Sequence, residues 1–397
     1  MPEVVIIGGG AAGIFTAIQY KLLCPAAMVS VYEQNNRLLQ KVKISGGGRC
    51  NVTHGCFDPR ELCKYYPRGA KELLGPFHKF GPADTIAFFE ERGVPLKMEE
   101  DGRMFPVSDS SQDIINCFLH QADILGISIH PEHKFTALHH TEQGFKVEFN
   151  HNTTVTSRRV VIATGAVPSI WEMIHNLGHN IVAPVPSLFT FQHQNQEFKA
   201  LSGISQFAAL AIEDSDYCED GSLLFTHRGV SGPAVLRLSA HAARELHSRR
   251  YTFVLRINWW REEDAYEFLH KMRQTSGKKL VRTCPPTHIA RRLWEALCGR
   301  YADMTWAMID KEAIQTLYNR LTNTRIEIIG KDTFKEEFVT SGGIARGEID
   351  FRSMESKLCE GLYFAGEVID IDALTGGFNF QACWTEGFLI GKHLANQ

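Results

Sequence analysis

The chain opens on an uninterrupted apolar run, Val4 to Ile7, followed by "GGGAAG" and an apolar-rich stretch reaching residue 23. Four consecutive apolar residues suit a strand buried on both faces, and residues 11–23 suit a helix. "MVSVYE" (28–33) predicts a second strand ending at Glu33. Strand, glycine turn, helix and strand together are the start of a parallel α/β sheet. "RRVVIATGAVP" (158–168) and Leu362–Ala365 predict two further strands, the latter leading through a glycine-rich loop into an apolar-rich helix. Between roughly 190 and 335 the pattern changes. "LFTFQHQ", "FAALAIED" and "SLLFTHRG" read as short strands of an inserted β-rich unit. Residues 261–275 and 287–320 are helical in pattern: Ile289, Leu293 and Leu297 recur at four-residue spacing, with Arg291 and Arg292 on another face and Pro285-Pro286 between the helices. The expected organisation is a discontinuous domain, 1–189 and 336–397, interrupted by a β-rich domain, 190–260 and 321–335, which carries a helical subdomain at 261–320. There is no internal repeat and no low-complexity tract.

The glycine turn has the spacing GxGxxG at Gly8, Gly10 and Gly13. Gly8 allows the tight turn, Gly10 lets backbone approach a pyrophosphate, and Gly13 lets the helix pack closely on the strand. The helix then aims its first N–H groups, from Ala11 and Ala12 onward, at the anion. Glu33 falls twenty residues after Gly13, where a carboxylate accepts hydrogen bonds from ribose hydroxyls. A dinucleotide site follows. A Walker-type phosphate loop is excluded, because neither "GGGRCNVT" nor "SGKKL" has the required glycine–lysine spacing.

Two distant segments choose between dinucleotides. Ala163, Thr164 and Gly165 end the middle strand. The tail carries Gly366, Glu367, Asp370, Asp372, Gly376 and Gly377, then a helix starting near Phe378 and Asn379. Both resemble the paired signatures of flavoproteins related to glutathione reductase, in which the later acid meets the ribityl or phosphate region and the last helix points its N-terminus at the pyrimidine edge. Reduced flavin carries negative charge there, and a helix N-terminus stabilises such charge by about 0.3–2 kcal/mol. An acid such as Asp370 suits hydroxyls rather than a phosphate. FAD is the expected cofactor.

Five segments in order carry a closer resemblance: the GGGAAG turn, "SGGGRCNVT" (45–53), "LLFTHRGVSGPAVLRLS" (223–239), "FVTSGGIARGEID" (338–350) and "MESKLCEGLYFAGEVIDIDALTGGFNFQACWTEGFLIG" (354–391). The chain resembles, along essentially its whole length, the HI0933-like (YhiN/BaiN-like) family of bacterial NAD(P)/FAD-dependent flavoprotein oxidoreductases. The resemblance implies a Rossmann-like FAD domain of glutathione-reductase type, split by an inserted β-rich domain. One departure is Ala166, where the family often has a second glycine after Ala-Thr-Gly, so the backbone there is expected to differ slightly.

In related flavoproteins the stretch after the second strand runs along the isoalloxazine. That places Lys41, Ser45, Gly46, Gly47, Gly48, Arg49, Cys50 and Asn51 against the cofactor. Gly46–Gly48 would let backbone lie flush on the ring, Arg49 would supply positive charge to reduced flavin or a substrate carbonyl, and Asn51 would orient it. Cys50 adjoins Arg49, which would favour its thiolate, although without a partner thiol a structural role is the simpler reading. His227, in "FTHRGVSGP", is the candidate proton donor or acceptor, one histidine among 17. Trp259-Trp260 reads as core.

Bulk properties narrow the partners. The chain has 397 residues, 44% hydrophobic and 22% charged, with a formal charge of −3 and pI near 6.6. That balance gives no reason to expect nucleic acid or an anionic membrane as partner. No apolar run approaches the roughly 18–20 residues that span a bilayer, and the N-terminus lacks the pattern of a signal peptide. Ten cysteines without a CxxC suit a cytoplasmic protein with neither a disulfide framework nor a metal ribbon, and no metal is expected. No second GxGxxG exists, so a pyridine nucleotide donor would dock transiently. The leading expectation is hydride transfer between flavin N5 and a small organic substrate, such as reduction of an enone. The alternatives are a flavin-dependent tRNA-modifying protein, for which Lys278, Lys279, Arg282, Arg291 and Arg292 are the only basic cluster, and a non-catalytic redox sensor.

Overall fold

The computed structural model describes residues 3–261, 264–332 and 339–397. The chain divides into two compact units, Met1–Pro184 with Val339–Gln397, and Val185–Phe338. The expected return point at 335/336, the start of the segment at Phe338 and positions 262–263 of the first expected helix lie outside the described residues.

The first unit is built on a seven-stranded sheet. Its central strand, Val4–Ile7, lies between Val29–Tyr32 and Arg159–Ile162, all parallel, with Val4 opposite both Val29 and Arg159. Ser128–His130 extends one side in parallel. Leu362–Phe364 extends the other, followed by two short antiparallel strands, Glu355–Ser356 and Ile349–Asp350. All four residues of the central strand are buried, as expected for a strand covered on both faces. The fingerprint helix, Ala11–Leu23, and the C-terminal helix, Phe378–Ala395, pack side by side. A Cβ at Gly387 would press on Phe15 and Thr16, and one at Gly391 on Gln19 and Tyr20. Both contacts advance in the same direction, so the helices run parallel and their N-termini point to the same end of the unit. Two small antiparallel sheets complete it: Thr53–His54, Arg103–Pro106 and Leu96–Met98, and Phe135–Thr141, Gly144–Phe149 and Thr154–Ser157.

The second unit is a closed barrel of six strands, in the order Thr190–His193, Gly229–Ser231, Cys218–Phe225, Ser205–Ile212, Phe253–Asn258 and Thr324–Asp332. Helices Ala265–Thr275, Arg291–Cys298 and Lys311–Thr322 lie between the last two strands in sequence. Leu293, Trp294 and Leu297 are buried and share one core with the barrel's Leu255, Ile257 and Ile326. Trp259 and Trp260 belong to that core; Trp259 anchors the return strand by donating to Thr324 Oγ1 at 2.8 Å.

Candidate active site

Every residue expected to hold the cofactor falls in the first unit, at the end where strands finish and helices begin. The three fingerprint glycines are there for three different reasons. Gly8 has φ +112°, and a Cβ would collide with the Ala163 carbonyl. Gly13 has no room either, because its Cβ would overlap the carbonyl oxygen of Gly8. Gly10 is different: its φ is −85°, open to any residue, and nothing lies within 4 Å of a Cβ built there. The fold itself makes no demand for glycine at position 10. That backbone is open to a group laid against it.

The surroundings fit a dinucleotide. The fingerprint helix starts with no side-chain cap and no acid in its first turn, so the N–H groups of Ala11 and Ala12 are left to an anion. Glu33 is buried at the end of the second strand, where Oε2 accepts from Gly9 N–H (2.8 Å) and Oε1 from the Asn35 backbone and amide. Ala163 continues the sheet by donating to Ile7 O, and Thr164 Oγ1 donates to Gly165 O (3.4 Å). Ala166 does not take a left-handed conformation, so its departure from glycine costs nothing.

Lys41, Gly165 and Glu367 converge. The lysine ion-pairs with Glu367, and both would lie 4.0 Å from a Cβ at Gly165. Glu367 also lines a small cleft with Gly366, Asn379, Cys383 and Glu386. Asp370, expected to bond cofactor hydroxyls, is instead buried beside Arg346, 3.4 Å from its Nε, because a buried carboxylate needs a cation. Asp372 is fully buried and ion-paired with Arg68 through both oxygens.

Residues 45–51 form a tight loop. Gly46, Gly47 and Gly48 have φ of +56°, +70° and +87°, Cys50 has +62°, and Cys50 N–H donates to Ser45 O. A Cβ at Gly46 would press on Phe105, whereas Gly47 and Gly48 face open space. Arg49 and Asn51 depart from their expected roles, while Cys50 takes the structural role that was the simpler reading. Arg49 is not a free cation: its guanidinium lies over the Phe105 ring (3.9 Å) and pairs with Glu99 (2.6 Å) and Asp109 (3.5 Å). The Cys50 thiol is fully buried, and burial pushes it up to about 12, so the neighbouring arginine does not produce a thiolate. Asn51, buried, bridges to the tail: with its amide oriented to satisfy its neighbours, its oxygen accepts from Gly377 N–H (3.0 Å) and its nitrogen donates to Thr53 O. Gly376 and Gly377 both have positive φ and turn the chain into the C-terminal helix. Phe378 at its first turn stacks with Tyr65 (4.2 Å) and with His54 (4.6 Å), which also touch each other (5.6 Å). Asn379 holds both backbone groups of Ala373.

One residue was not anticipated. Glu386, on the inner face of the C-terminal helix, accepts from Gly366 N–H through Oε2 (2.6 Å), while its buried Oε1 has no partner. The available sequence signal was that the helix around it, "FNFQACWTEGFLIG", is apolar on every side, so a lone acid within it must be buried. Burial pushes this carboxyl up to about 8, only partly offset by the Gly366 N–H. The folded chain therefore holds a proton that the unfolded chain, with a carboxyl near its ordinary value, releases. Stability is expected to fall as pH rises from about 4.5 to about 8, by about 1.4 kcal/mol per unit, and to lose this slope above that range. Glu386→Gln should flatten the slope in urea unfolding at pH 5, 6, 7 and 8; equal slopes in both proteins would contradict the assignment.

His227 belongs to the second unit, where it is exposed on the turn after Cys218–Phe225. Among the described residues no group of His, Cys, Asp and Glu is arranged to hold a metal, and no helix is long and apolar enough to cross a membrane.

A glycine turn on a parallel sheet, a buried acid ending the second strand and two parallel helix N-termini are the features of a dinucleotide-binding flavoprotein of the Rossmann type. The chain matches the family described as HI0933-like protein Rossmann domain over residues 2–393, and it belongs to that family. It is an FAD-dependent oxidoreductase. The "Ribosomal RNA dihydrouridine synthase" of Escherichia coli (strain K12) is 28% identical over 99% of this chain and 98% of that protein. The "3-dehydro-bile acid delta(4,6)-reductase" of Clostridium scindens is 26% identical over 100% of both chains. The 3-ketosteroid-delta4-(5alpha)-dehydrogenase of Rhodococcus jostii RHA1 shares the fold, with a TM-score of 0.51 at 13% identity over 100% of this chain and 97% of that one.

Proposed function

We propose that this enzyme reduces a ring carbon–carbon double bond conjugated to a carbonyl, and that its substrate is a uracil base in RNA. The observation that carries the reading is full-length similarity to two relatives whose names both describe saturation of ring double bonds, one in uridine and one in a steroid. In uracil the C5=C6 bond is conjugated to the C4 carbonyl, so the β carbon accepts hydride and the α carbon accepts a proton. When bound and reduced, with a pyridine nucleotide as the proposed donor, FAD would supply the hydride. The protein's part is to hold the cofactor on the fingerprint and tail, to present the Gly47–Gly48 backbone as a flat surface, and to keep that loop in place through the Arg49 contacts with Phe105, Glu99 and Asp109.

The expectation of no nucleic-acid partner rested on net charge, which averages two unlike units. Residues 185–338 contain 21 Lys and Arg against 19 Asp and Glu, while the remainder contains 21 against 26. An RNA contact therefore belongs with the second unit. The steroid-like enone is the second reading, supported by the Clostridium scindens relative.

The test is anaerobic. The flavin is reduced with NADPH or NADH, then mixed with a uridine-containing oligoribonucleotide or with a 3-keto-4-ene steroid. Return of the oxidised flavin spectrum with the oligonucleotide, together with dihydrouridine in the product, is the expected result. Reoxidation by the steroid alone would shift the assignment to the second reading, and silence with both would end it. In the same assay Arg49→Ala should retain FAD but slow flavin reduction about tenfold, the equivalent of about 1.4 kcal/mol. Unchanged rates would remove Arg49 from the mechanism.

A further inference from the structure

The barrel unit contains an open cavity of about 200 Å³ whose lining is polar apart from Ile329: Gln192, His193, Gln194, Lys199, His227 and Arg228. His193 is the informative member. It ends the strand Thr190–His193, whose alternation turns Phe191 and His193 inward, and it is 1% exposed. Neither ring nitrogen has a hydrogen-bond partner. The strand register slips between Gln192 and His193, a bulge of the kind that re-aims side chains at functional rims. A buried imidazole with both nitrogens unmatched is costly unless a ligand meets them.

The rest of the lining shows what that ligand carries. Thr226 Oγ1 accepts from Gly229 N–H (3.0 Å) and Arg228 N–H (3.4 Å), and this tight turn presents His227 and Arg228 together. Arg228 pairs with Asp332 (3.0 Å) yet remains 61% exposed. Lys199 Nζ touches only a neutral group, Gln194 Oε1 (3.2 Å), with no carboxylate in ion-pair range among the described residues. Burial and the nearby Lys199 both hold His193 in its neutral form, so the ring offers one N–H and one lone pair. The cavity thus combines two cations, an N–H donor, side-chain amides and one acceptor that no anion can satisfy. A phosphate oxygen answers the donors. A hydroxyl answers the lone pair.

We propose that this cavity is a ribose-phosphate subsite for the RNA substrate, in which Lys199, Arg228 and His227 take a backbone phosphate and His193 meets the phosphate and the adjacent 2′-hydroxyl. The inference rests on the RNA reading above, and it uses His227 for binding rather than for proton transfer. The 2′-hydroxyl is the group that separates RNA from DNA, so the subsite carries a prediction about sugar as well as charge.

The test uses the FAD-loaded full chain and a fluorescently labelled uridine-containing pentaribonucleotide, with Kd measured by anisotropy across a potassium chloride series. Lys199→Gln and Arg228→Gln should each raise Kd about tenfold and reduce the slope of log K against log salt by about 0.7, the value for one phosphate on a single strand. His193→Gln should bring the all-deoxy pentamer, weaker in the parent protein, close to parity with the RNA. Flavin absorbance and thermal melting establish that each variant is folded, and the two cation variants keep the test alive should His193→Gln fail to fold. RNA that binds with the same Kd and salt slope in both cation variants overturns the subsite. If that RNA still reoxidises the reduced flavin, the uracil reading survives its loss. A parent protein that neither binds the pentamer nor is reoxidised by it loses both.

Discussion

Gly10→Val is expected to yield a folded protein without flavin, and Gly13→Ala a protein that folds poorly whether or not flavin is supplied. The two positions lie three residues apart in one motif, yet the structure separates their roles. At Gly13 a methyl group would overlap the Gly8 carbonyl, backbone against backbone, so the helix must lift from the strand that it covers. Overpacking of this kind costs about 1–3 kcal/mol or more, and here both partners belong to the central βα unit. At Gly10 the side chain enters empty space at an ordinary φ, so the apoprotein should lose less than about 1 kcal/mol. The same side chain occupies the approach to the pyrophosphate, and FAD affinity should fall at least about a hundredfold. Urea unfolding of the apoproteins and flavin content after purification check both halves. Full flavin in Gly10→Val, or apoprotein stability like the parent's in Gly13→Ala, would contradict the separation.

What was legible in the chain follows from how local each signal is. The strand Val4–Ile7 and the helix Ala11–Leu23 are found where the apolar pattern and the glycine turn place them, because both are decided by neighbours in sequence. Three of the barrel's six strands were visible one at a time, but not Gly229–Ser231, Phe253–Asn258 or Thr324–Asp332, nor the closure: Thr190–His193 pairs with Thr324–Asp332 across more than a hundred residues. Arg49 shows the same limit at a single side chain. Its position beside three glycines suggested a free cation facing the cofactor, while Glu99 and Asp109, fifty and sixty residues away, engage the charge. Asn51 was expected to orient the arginine and instead ties its loop to the N-terminus of the C-terminal helix. His193 carried a faint signal, since the alternation in "TFQH" puts it on the same side as Phe191, but only the closed barrel turns that side into a cavity wall.

Asp372→Ala should be among the most destabilising substitutions in the first unit, by about 3–5 kcal/mol. Asp372 is fully buried and grips the guanidinium of Arg68, whose side chain is only 10% exposed. Removing the acid leaves a buried arginine facing a cavity, and the penalty comes mainly from that uncompensated charge rather than from the attraction lost. The pair also joins two loops, since Arg68 and Asp372 form a backbone bridge, Leu374 N–H donates to Tyr65 O, and Gly69 packs on Ile371. Loosening it frees residues 369–377, the segment that leads into the C-terminal helix and supplies Ile371 to the cleft with Glu367 and Glu386. FAD retention should therefore weaken together with stability. Arg68→Met combined with Asp372→Leu removes both charges and keeps apolar volume, so it should recover most of the stability, and the double-mutant cycle isolates the pair from the loops it joins. An Asp372→Ala protein within 1 kcal/mol of the parent in urea unfolding, or a double variant no better than the single, would show that the buried charge is compensated elsewhere and that the tail is held by its backbone contacts alone.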